Sequence, residues 1–181
     1  MKLWRLCRVA RVALDGAGAL KSGGRYSSAG RPVVSLASEA GLAVLVTLRY
    51  LLPNYTDTES DYLLGWTQAD AQPERVPDGL SRADTTVYVD DWLDTRRSLL
   101  AAIRSKVLPE GDVILLNPLH ADAAQVAPLT TRPFSFAECL HRPPMLDAYR
   151  NDAQASPGIP RHRGSAMPNV AAWAIAKAAA L

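Results

Sequence analysis

A glycine pair followed by an arginine is the feature of this sequence best suited to contact an anion. Gly23 and Gly24 stand directly before Arg25. Glycine lacks a Cβ atom, so its backbone can approach a ligand closely and can adopt positive φ angles. The guanidinium of Arg25 can donate two parallel hydrogen bonds to one phosphate group. The pattern therefore favours a phosphate site in which Arg25 makes the principal contact.

A second candidate residue is a serine at the end of an apolar stretch. By the two-residue alternation of a strand, Ser105 lies on the same face as Leu99, Ala101 and Ile103. A serine that continues an apolar face points inward, where its hydroxyl needs a hydrogen-bond partner. We therefore predict that Ser105 is buried and makes a polar contact inside the protein.

Other recognisable chemistries have little support. Gly16 and Gly18 lack the third glycine of a dinucleotide-binding fingerprint, and Gly24-Arg25 stands where a P-loop needs Lys followed by Ser or Thr. The histidines and cysteines are few and lack the spacing of metal ligands, so we expect neither a metal site nor a disulfide scaffold. These residues are His120, His141, His162, Cys7 and Cys139.

The charges are distributed unevenly along the chain. Residues 1–35 contain seven Lys or Arg and one acid, whereas residues 57–94 contain ten acids and two arginines. A basic segment suggests an anionic ligand, which could be nucleic acid or a smaller phosphate compound. The net charge is only +2, and a nucleic-acid-binding domain usually has a larger basic excess. We favour a compact anion site, and a solvated arginine face is the alternative.

The length and composition are those of a globular protein. The chain has 181 residues, of which 48% are hydrophobic, enough for one domain with a buried core. It lacks an apolar run of about 18 residues, so we expect no membrane-spanning helix. Arg5, Arg8 and Arg11 interrupt the apolar core that a secretory signal would need. We therefore expect a cytoplasmic protein.

Periodicity and turn residues predict an α+β domain with a mixed or antiparallel sheet and few helices. A helix should begin after the N-cap Ser38, end near Leu52 before Pro53, and be buried around its circumference. We predict a loop over residues 15–28, a surface excursion over 70–84, and strands over 3–6, 32–36, 61–67, 98–105, 112–116 and 134–136. Residues 1–145 would form the domain, and 146–181 a poorly ordered C-terminal tail.

Several segments, taken in order, resemble the RES-domain family, which is named for its arginine, glutamate and serine. Residues 3–5 and 23–34 are similar to the family's LWR and GGRWNSPGxPVVY. Residues 37–51 are similar to its AESxALAxLEVLVHL helix. Later matches are residues 103–110 to VPSxVxPE, 115–122 to LLNPxHPD and 133–136 to PFxFD. The resemblance covers residues 3–142.

This resemblance implies a compact fold like that of ADP-ribosyltransferases and a toxin of a bacterial toxin–antitoxin pair. Such toxins destroy NAD+ by splitting the nicotinamide–ribose bond, with water or phosphate as acceptor. NAD+ would be a substrate, and no cofactor is expected. The resemblance places Arg25 and Ser105 in the catalytic site, and Arg5, Arg25, Tyr26 and Ser105 at the dinucleotide. A cognate antitoxin is the expected protein partner, a homodimer is allowed, and no membrane or direct nucleic-acid binding is expected.

The sequence departs from the family pattern at three positions. The helix glutamate is replaced by Val46, the tyrosine after the Val-Val pair by Ser35, and the proline before Ser105 by Arg104. The first departure matters most, because a carboxylate stabilises the positive charge that develops when an N-glycosidic bond breaks. Glu39 lies nearly two helical turns away, about 10 Å along the axis, and the sequence does not place Glu110 or Glu138.

Three hypotheses follow from these observations. The first is an NAD+-degrading enzyme in which Arg25 binds phosphate and Ser105 positions the ribose or the nicotinamide. The second is a RES-like binding or regulatory protein with little or no turnover. The third is a nucleic-acid-binding module that uses the basic N-terminal third of the chain.

Overall fold

A seven-stranded sheet organises the part of the chain that the structure, a computed structural model, describes: residues 1–49 and 61–136. The strand order is β4-β5-β6-β2-β1-β3-β7, with β4 parallel to β5 and every other pair antiparallel. The strands are β1 (Lys2–Arg8), β2 (Val34–Ala37), β3 (Tyr62–Gln68), β4 (Glu74–Arg75), β5 (Leu100–Arg104), β6 (Asp112–Leu116) and β7 (Thr130–Pro133). The predicted mixed sheet of an α+β domain is confirmed.

The central strands β5 and β6 are buried on both faces, which explains their nearly continuous apolar sequences. Leu100, Ala102, Ile114 and Leu116 lie on one face, in a cluster with Leu3 of β1. Side chains of the opposite face pack against the helices; they include Ala101, Ile103, Val113 and Leu115. The predicted alternation holds for Ala101 and Ile103, but the prediction was wrong for Leu99, which precedes the strand (Leu100–Arg104) and packs in the opposite cluster with Leu100 and Ala102.

Three α-helices lie in the described part: α1 (Ala17–Ser22), α2 (Ala40–Leu48) and α3 (Arg82–Thr95). Helix α1 corrects the prediction of a continuous loop over residues 15–28. The prediction of a surface excursion over residues 70–84 is also partly wrong, because β4 pairs with β5 and Val76 is buried. Helix α3 packs Val89 and Trp92, both fully buried, against the sheet.

Helix α2 differs from its prediction in its start and in its burial. Glu39 rather than Ser38 is the N-cap, and it makes no side-chain capping bond. The hydroxyl of Ser38 instead accepts a hydrogen bond from the backbone N–H of Asp112 at 3.0 Å, joining α2 to the start of β6. Only Leu42 and Ala43 of the helix are fully buried, and Leu45 is 38% exposed. The predicted end near Leu52 lies outside the described residues.

The last strand precedes the position predicted for it. Residues 130–133 form β7 beside β3, whereas Phe134 and Phe136 lie in the core with their rings 5.1 Å apart in an edge-to-face arrangement. Residues Met1–Leu140 form one compact unit. The domain boundary predicted at residue 145 and the tail predicted over 146–181 lie outside the described residues. None of the helices in the described part is long and apolar enough to span a membrane.

Candidate active site

Arg25 and Ser105 line one cavity of about 220 Å³, which we call the inner cavity. It lies on the helix-covered face of the sheet, over β2 and β6. The other side chains in its wall come from β2 and β6, from α2 and the residue after it, and from the segments next to Arg25 and Ser105. They are Tyr26, Ser35, Val46, Arg49, Lys106, Val107 and Val113. Two residues 80 positions apart in the sequence are thus brought to one site, as the sequence analysis predicts.

Two further cavities adjoin the inner cavity, because they share lining residues with it. The outer cavity, of about 780 Å³, shares Arg25, Tyr26, Arg49 and Lys106, and extends to the start of α3. The side cavity, of about 320 Å³, shares Ser35, Val46 and Val113 and extends along β1. Together they form a cleft, and the outer cavity is its largest part and falls well within the usual size range of small-molecule and cofactor sites.

The glycine pair is required by the turn that presents Arg25. Gly23 has a φ of +71°, and a Cβ atom there would lie 3.1 Å from the backbone nitrogen of Ala29 and the backbone oxygen of Ser27. A Cβ on Gly24 would lie 2.9 Å from the hydroxyl of Ser27. The backbone N–H of Gly24 also donates to the carbonyl of Ser27 at 2.9 Å. The two glycines therefore allow the backbone of residues 23–29 to fold tightly against itself.

The segment that follows the glycine pair, residues 23–31, is fastened to α3. Asp90 accepts a hydrogen bond from the backbone N–H of Ser28 at 3.0 Å. Arg31 donates two hydrogen bonds, at 2.8 and 2.7 Å, to the carboxylate of Asp94. These bonds raise the pKa of Arg31 and lower that of Asp94. This ion pair thus joins the basic residues 1–35 to the acidic residues 57–94. Arg31 lines none of the three cavities.

The hydroxyl of Ser105 is oriented by the turn that follows β5. Its oxygen accepts hydrogen bonds from the backbone N–H groups of Val107 and Leu108, at 3.2 and 3.3 Å, and the side chain is buried. A serine hydroxyl accepts up to two hydrogen bonds and donates one. The two acceptor positions are used by the turn, so the remaining O–H can donate to a ligand in the inner cavity. This geometry suits a positioning contact.

Val46 stands where the inner and side cavities meet. Among the described residues, neither of these cavities has an acid in its wall, and the outer cavity has only Asp78. Glu39 and Glu110 line none of the three cavities, and Glu138 lies outside the described residues. Within this part of the chain no acid replaces the family's helix glutamate.

Arg5 lines the side cavity and is partly buried. Its guanidinium donates a hydrogen bond to the carbonyl of Ala13 at 3.1 Å, and burial lowers its pKa. A buried cation benefits from an anion nearby, so an anionic group of a ligand would be stabilised at this wall. Cys7 lines the same cavity, and burial raises the pKa of its thiol. The thiol is therefore protonated at neutral pH and poorly suited to act as a nucleophile.

The Asn117–His120 motif has a structural role in this fold. The fully buried amide of Asn117 donates to the carbonyl of Leu93 at 3.2 Å and accepts from the N–H of Leu119 at 3.0 Å. Asn117 thereby joins the end of β6 to the end of α3. Nδ1 of His120 accepts from the backbone N–H of Asp122 and caps a short 3₁₀ helix. Neither side chain lines the three cavities.

Several cations of the cleft were not predicted from the sequence as site residues. They are Arg11, Arg49, Arg82, Arg104 and Lys106. A signal existed for two of them, because Arg104 and Lys106 flank the predicted site residue Ser105 in the sequence. Arg82 follows Ser81, whose hydroxyl caps α3 by accepting from the N–H of Asp84. Recognising that Ser81-to-Asp84 cap would have predicted α3 and placed Arg82 at its start. Across the described ranges, no three His, Cys, Asp or Glu side chains come together as metal ligands.

Comparisons with known proteins identify the family of the chain. The model of the RES domain family matches residues 2–137. "Toxin Res" of Pseudomonas putida is 34% identical over 142 residues, covering 68% of this chain and 88% of that protein. The "Prs ADP-ribosylating toxin" of a Sphingobium species is 31% identical over 136 residues, covering 66% and 84%. The chain belongs to the RES-domain family.

A solved structure supports the same fold. The chain is similar to a protein in the crystal structure of the M. tuberculosis MbcT–MbcA toxin–antitoxin complex, with a TM-score of 0.57 over 74% of this chain and 84% of the other. The sequence identity is 18%, so the two chains share an architecture with little retained sequence. The α+β arrangement described above is therefore shared with a protein of that complex.

Proposed function

We propose that this protein is the toxin of a toxin–antitoxin pair and that it degrades NAD+ by cleaving the nicotinamide–ribose bond. The observation that carries the proposal is the convergence of Arg25 and Ser105 in the inner cavity of a RES-family fold. Arg25 lies where the inner and outer cavities meet. A dinucleotide that spans both cavities would place its pyrophosphate there, within reach of the guanidinium.

The reacting end of NAD+ would then occupy the inner cavity. The hydroxyl of Ser105 has its donor proton available and would orient a ribose hydroxyl or the carboxamide oxygen. Tyr26 is in the wall of the same cavity, and its ring could pack against the nicotinamide. When the glycosidic bond breaks, nicotinamide leaves as a neutral molecule with the bonding electron pair. Water or phosphate then forms the new bond at the ribose carbon and loses a proton.

The test is the release of free nicotinamide from NAD+ by the purified full-length chain. We expect release by the wild type, and about tenfold to hundredfold weaker NAD+ binding by Arg25→Ala, because a charge-assisted bidentate contact is lost. Lys21→Ala is the matched control, since it removes a neighbouring exposed charge that lines none of the cavities. Unchanged NAD+ affinity of Arg25→Ala by calorimetry would remove the role proposed for Arg25.

A second candidate function is a RES-like binding or regulatory protein with little turnover. The valine at position 46 favours it, because the described wall of the inner cavity lacks a carboxylate to stabilise an oxocarbenium-like ribose. Binding of NAD+ without release of nicotinamide would support this function and contradict the enzymatic one. A steep salt dependence of DNA binding, with no NAD+ binding, would instead support a nucleic-acid-binding module.

The proposed partner is a cognate antitoxin that binds over the cleft, and the proposed site of action is the cytoplasm. The solved complex described above is between a toxin and an antitoxin, which supports a partner of this kind. Expression of the chain in a bacterial host should arrest growth, and co-expression with the neighbouring antitoxin gene should restore it. Growth arrest that Arg25→Ala does not relieve would argue against a toxic activity at this site.

A further inference from the structure

The outer cavity contains more positive charge than NAD+ requires. Of the described residues in its wall, six are cationic and one, Asp78, is acidic. Asp78 is already paired with Arg104, whose Nε lies 3.2 Å from the carboxylate. The other cations are Arg11, Arg25, Arg49, Arg82 and Lys106. The two phosphates of NAD+ carry two negative charges, which leaves several cations of this cavity without a counterpart.

Four of these cations have no ion-pair partner among the residues that the structure describes. Arg11, Arg49, Arg82 and Lys106 form no salt bridge with any residue in the ranges 1–49 and 61–136. Some arginines outside the cavity are closely paired, as Arg75 is with Asp112 at 2.6 Å. Like charges around one concave surface repel one another and concentrate anions there. The outer cavity is therefore a site for a strongly anionic ligand.

The arrangement of the two cavities indicates where an extra negative group would lie. Arg25 and Lys106 belong to both cavities, whereas Arg82 and Arg104 line only the outer one. If the pyrophosphate lies at Arg25 and the nicotinamide ribose in the inner cavity, the adenosine must extend into the outer cavity. The ribose of that adenosine is bonded directly to the pyrophosphate through its 5′-oxygen. Its 2′-hydroxyl would then lie in the cavity whose lining includes Arg82 and Arg104.

We propose that the outer cavity recognises a third phosphate, so that the preferred dinucleotide is one phosphorylated on the adenosine 2′-hydroxyl, NADP+, rather than NAD+. This inference rests on the proposed function for the orientation of the dinucleotide. Arginine is the residue that most often accommodates such a phosphate, because its guanidinium matches the phosphate oxygens with two parallel donors. Arg82 and Arg104 would share the 2′-phosphate, and Arg25 would keep the pyrophosphate.

Calorimetry with the full-length chain at one fixed ionic strength tests the proposal. NADP+ should bind about tenfold or more tightly than NAD+, because each charge-assisted contact has a large effect on affinity. Arg82→Ala and Arg104→Ala should each remove most of that preference while changing NAD+ affinity little. Arg132→Ala is the matched control, since Arg132 is exposed on β7 and lines none of the cavities. Equal affinities for NAD+ and NADP+ would overturn the proposal.

Two further probes separate a specific site from a general attraction of anions. The dinucleotide with nicotinic acid in place of nicotinamide adds negative charge at the opposite end; if it binds with the same gain as NADP+, the specific 2′-phosphate site is refuted. Adenosine 2′,5′-bisphosphate, compared with adenosine 5′-monophosphate, tests the site without any glycosidic bond. A preference for the bisphosphate with no release of nicotinamide would uphold this site and refute the enzymatic function. Release of nicotinamide with no preference for the bisphosphate would support the enzymatic function and refute the 2′-phosphate site.

Discussion

At the scale of single residues, the replacement of a glutamate by Val46 determines what the cleft can do. Val46 borders the inner and side cavities, so its side chain faces the space in which the reacting ribose would lie. Arg5 and Arg11 line the side cavity from the other wall. A cationic cleft whose inner and side cavities have no carboxylate in their described walls would bind an anionic dinucleotide but would give little help to a ribose that becomes positive as its bond breaks.

Restoring the carboxylate should therefore raise the rate of cleavage. We expect Val46→Glu to increase turnover of the dinucleotide by up to about 100-fold, the size of the effect that single electrostatic groups have in other enzymes. Val46→Gln is the control, because it has the same shape and no charge. Rates are measured as nicotinamide released, alongside melting temperature and ligand affinity. A folded, ligand-binding Val46→Glu variant with unchanged turnover would contradict this prediction.

At the scale of elements, α3 is stabilised by a polar network at the edge of the sheet. The carboxylate of Glu74 in β4 accepts hydrogen bonds from the hydroxyl of Tyr88 at 2.7 Å and from Nε of Arg97 at 2.9 Å. Arg97 also donates to Asp91, and Ser98 accepts from the indole of Trp92 at 2.8 Å. These contacts join the end of α3 to the strand that precedes it.

This network gives the fold a dependence on pH. Burial alone would raise the pKa of Glu74, but the hydrogen bonds from Tyr88 and Arg97 outweigh it and lower that pKa below the ordinary 4.5. The folded state thus prefers the charged form, so the stabilisation is present above pH 4.5 and is lost as the pH falls through the lowered pKa. We expect Glu74→Gln to cost about 1–2 kcal/mol at neutral pH, and the difference from wild type to shrink below pH 4.5. Thermal unfolding at several pH values is the measurement, and the exposed Glu110→Gln variant is the control. A stability difference between Glu74→Gln and wild type that stays constant with pH would contradict the role given to Glu74.

The elements could be predicted where one physical signal dominated. Strands β1, β3 and β6 were found near their true limits because apolar and β-branched residues are concentrated there. Helix α3 was missed because its composition is polar and only one narrow face is apolar. Ser38 was wrongly predicted as the N-cap because a serine before a helix usually caps it. Here its hydroxyl instead accepts a hydrogen bond from the backbone N–H of Asp112, which is distant in sequence. Pairings of that kind are set by the tertiary fold and leave no local signal.

The candidate site was predictable to the extent that it followed a family pattern. Arg25 and Ser105 were named from motifs, and their meeting in one cavity required the sheet order that places β5 beside β6 and β6 beside β2. The cations Arg49 and Arg82 lie on different helices or their ends, with no common motif. The sequence predicted an anion site through the charge of residues 1–35. It could not predict that the site draws equally on cations from residues 82–106.

At the scale of the whole molecule, the compact unit Met1–Leu140 contains the sheet, the described helices and all three cavities. The sequence predicts that residues 146–181 are a poorly ordered tail. We expect deletion of 146–181 to change the melting temperature by no more than about 2 °C, because little of the folding free energy would be lost. Differential scanning calorimetry of the shortened and full-length chains measures this. A large drop would mean that the tail contributes to the stability of the domain.

The attachment of residues 23–31 to α3 has a consequence for how the cleft meets a ligand. Asp90 and Asp94 hold this segment through Ser28 and Arg31, by hydrogen bonds within the protein itself. The conformational entropy of the glycine turn is thus lost during folding and not again at the moment of association, which favours tight binding. The carboxylates of Asp90 and Asp94 would repel a nucleotide if they faced the cleft. They instead bind the segment of residues 23–31, which carries Arg25. Acidic side chains on the outside of a helix thereby help to fix the turn that carries Arg25, the residue proposed to bind the anion.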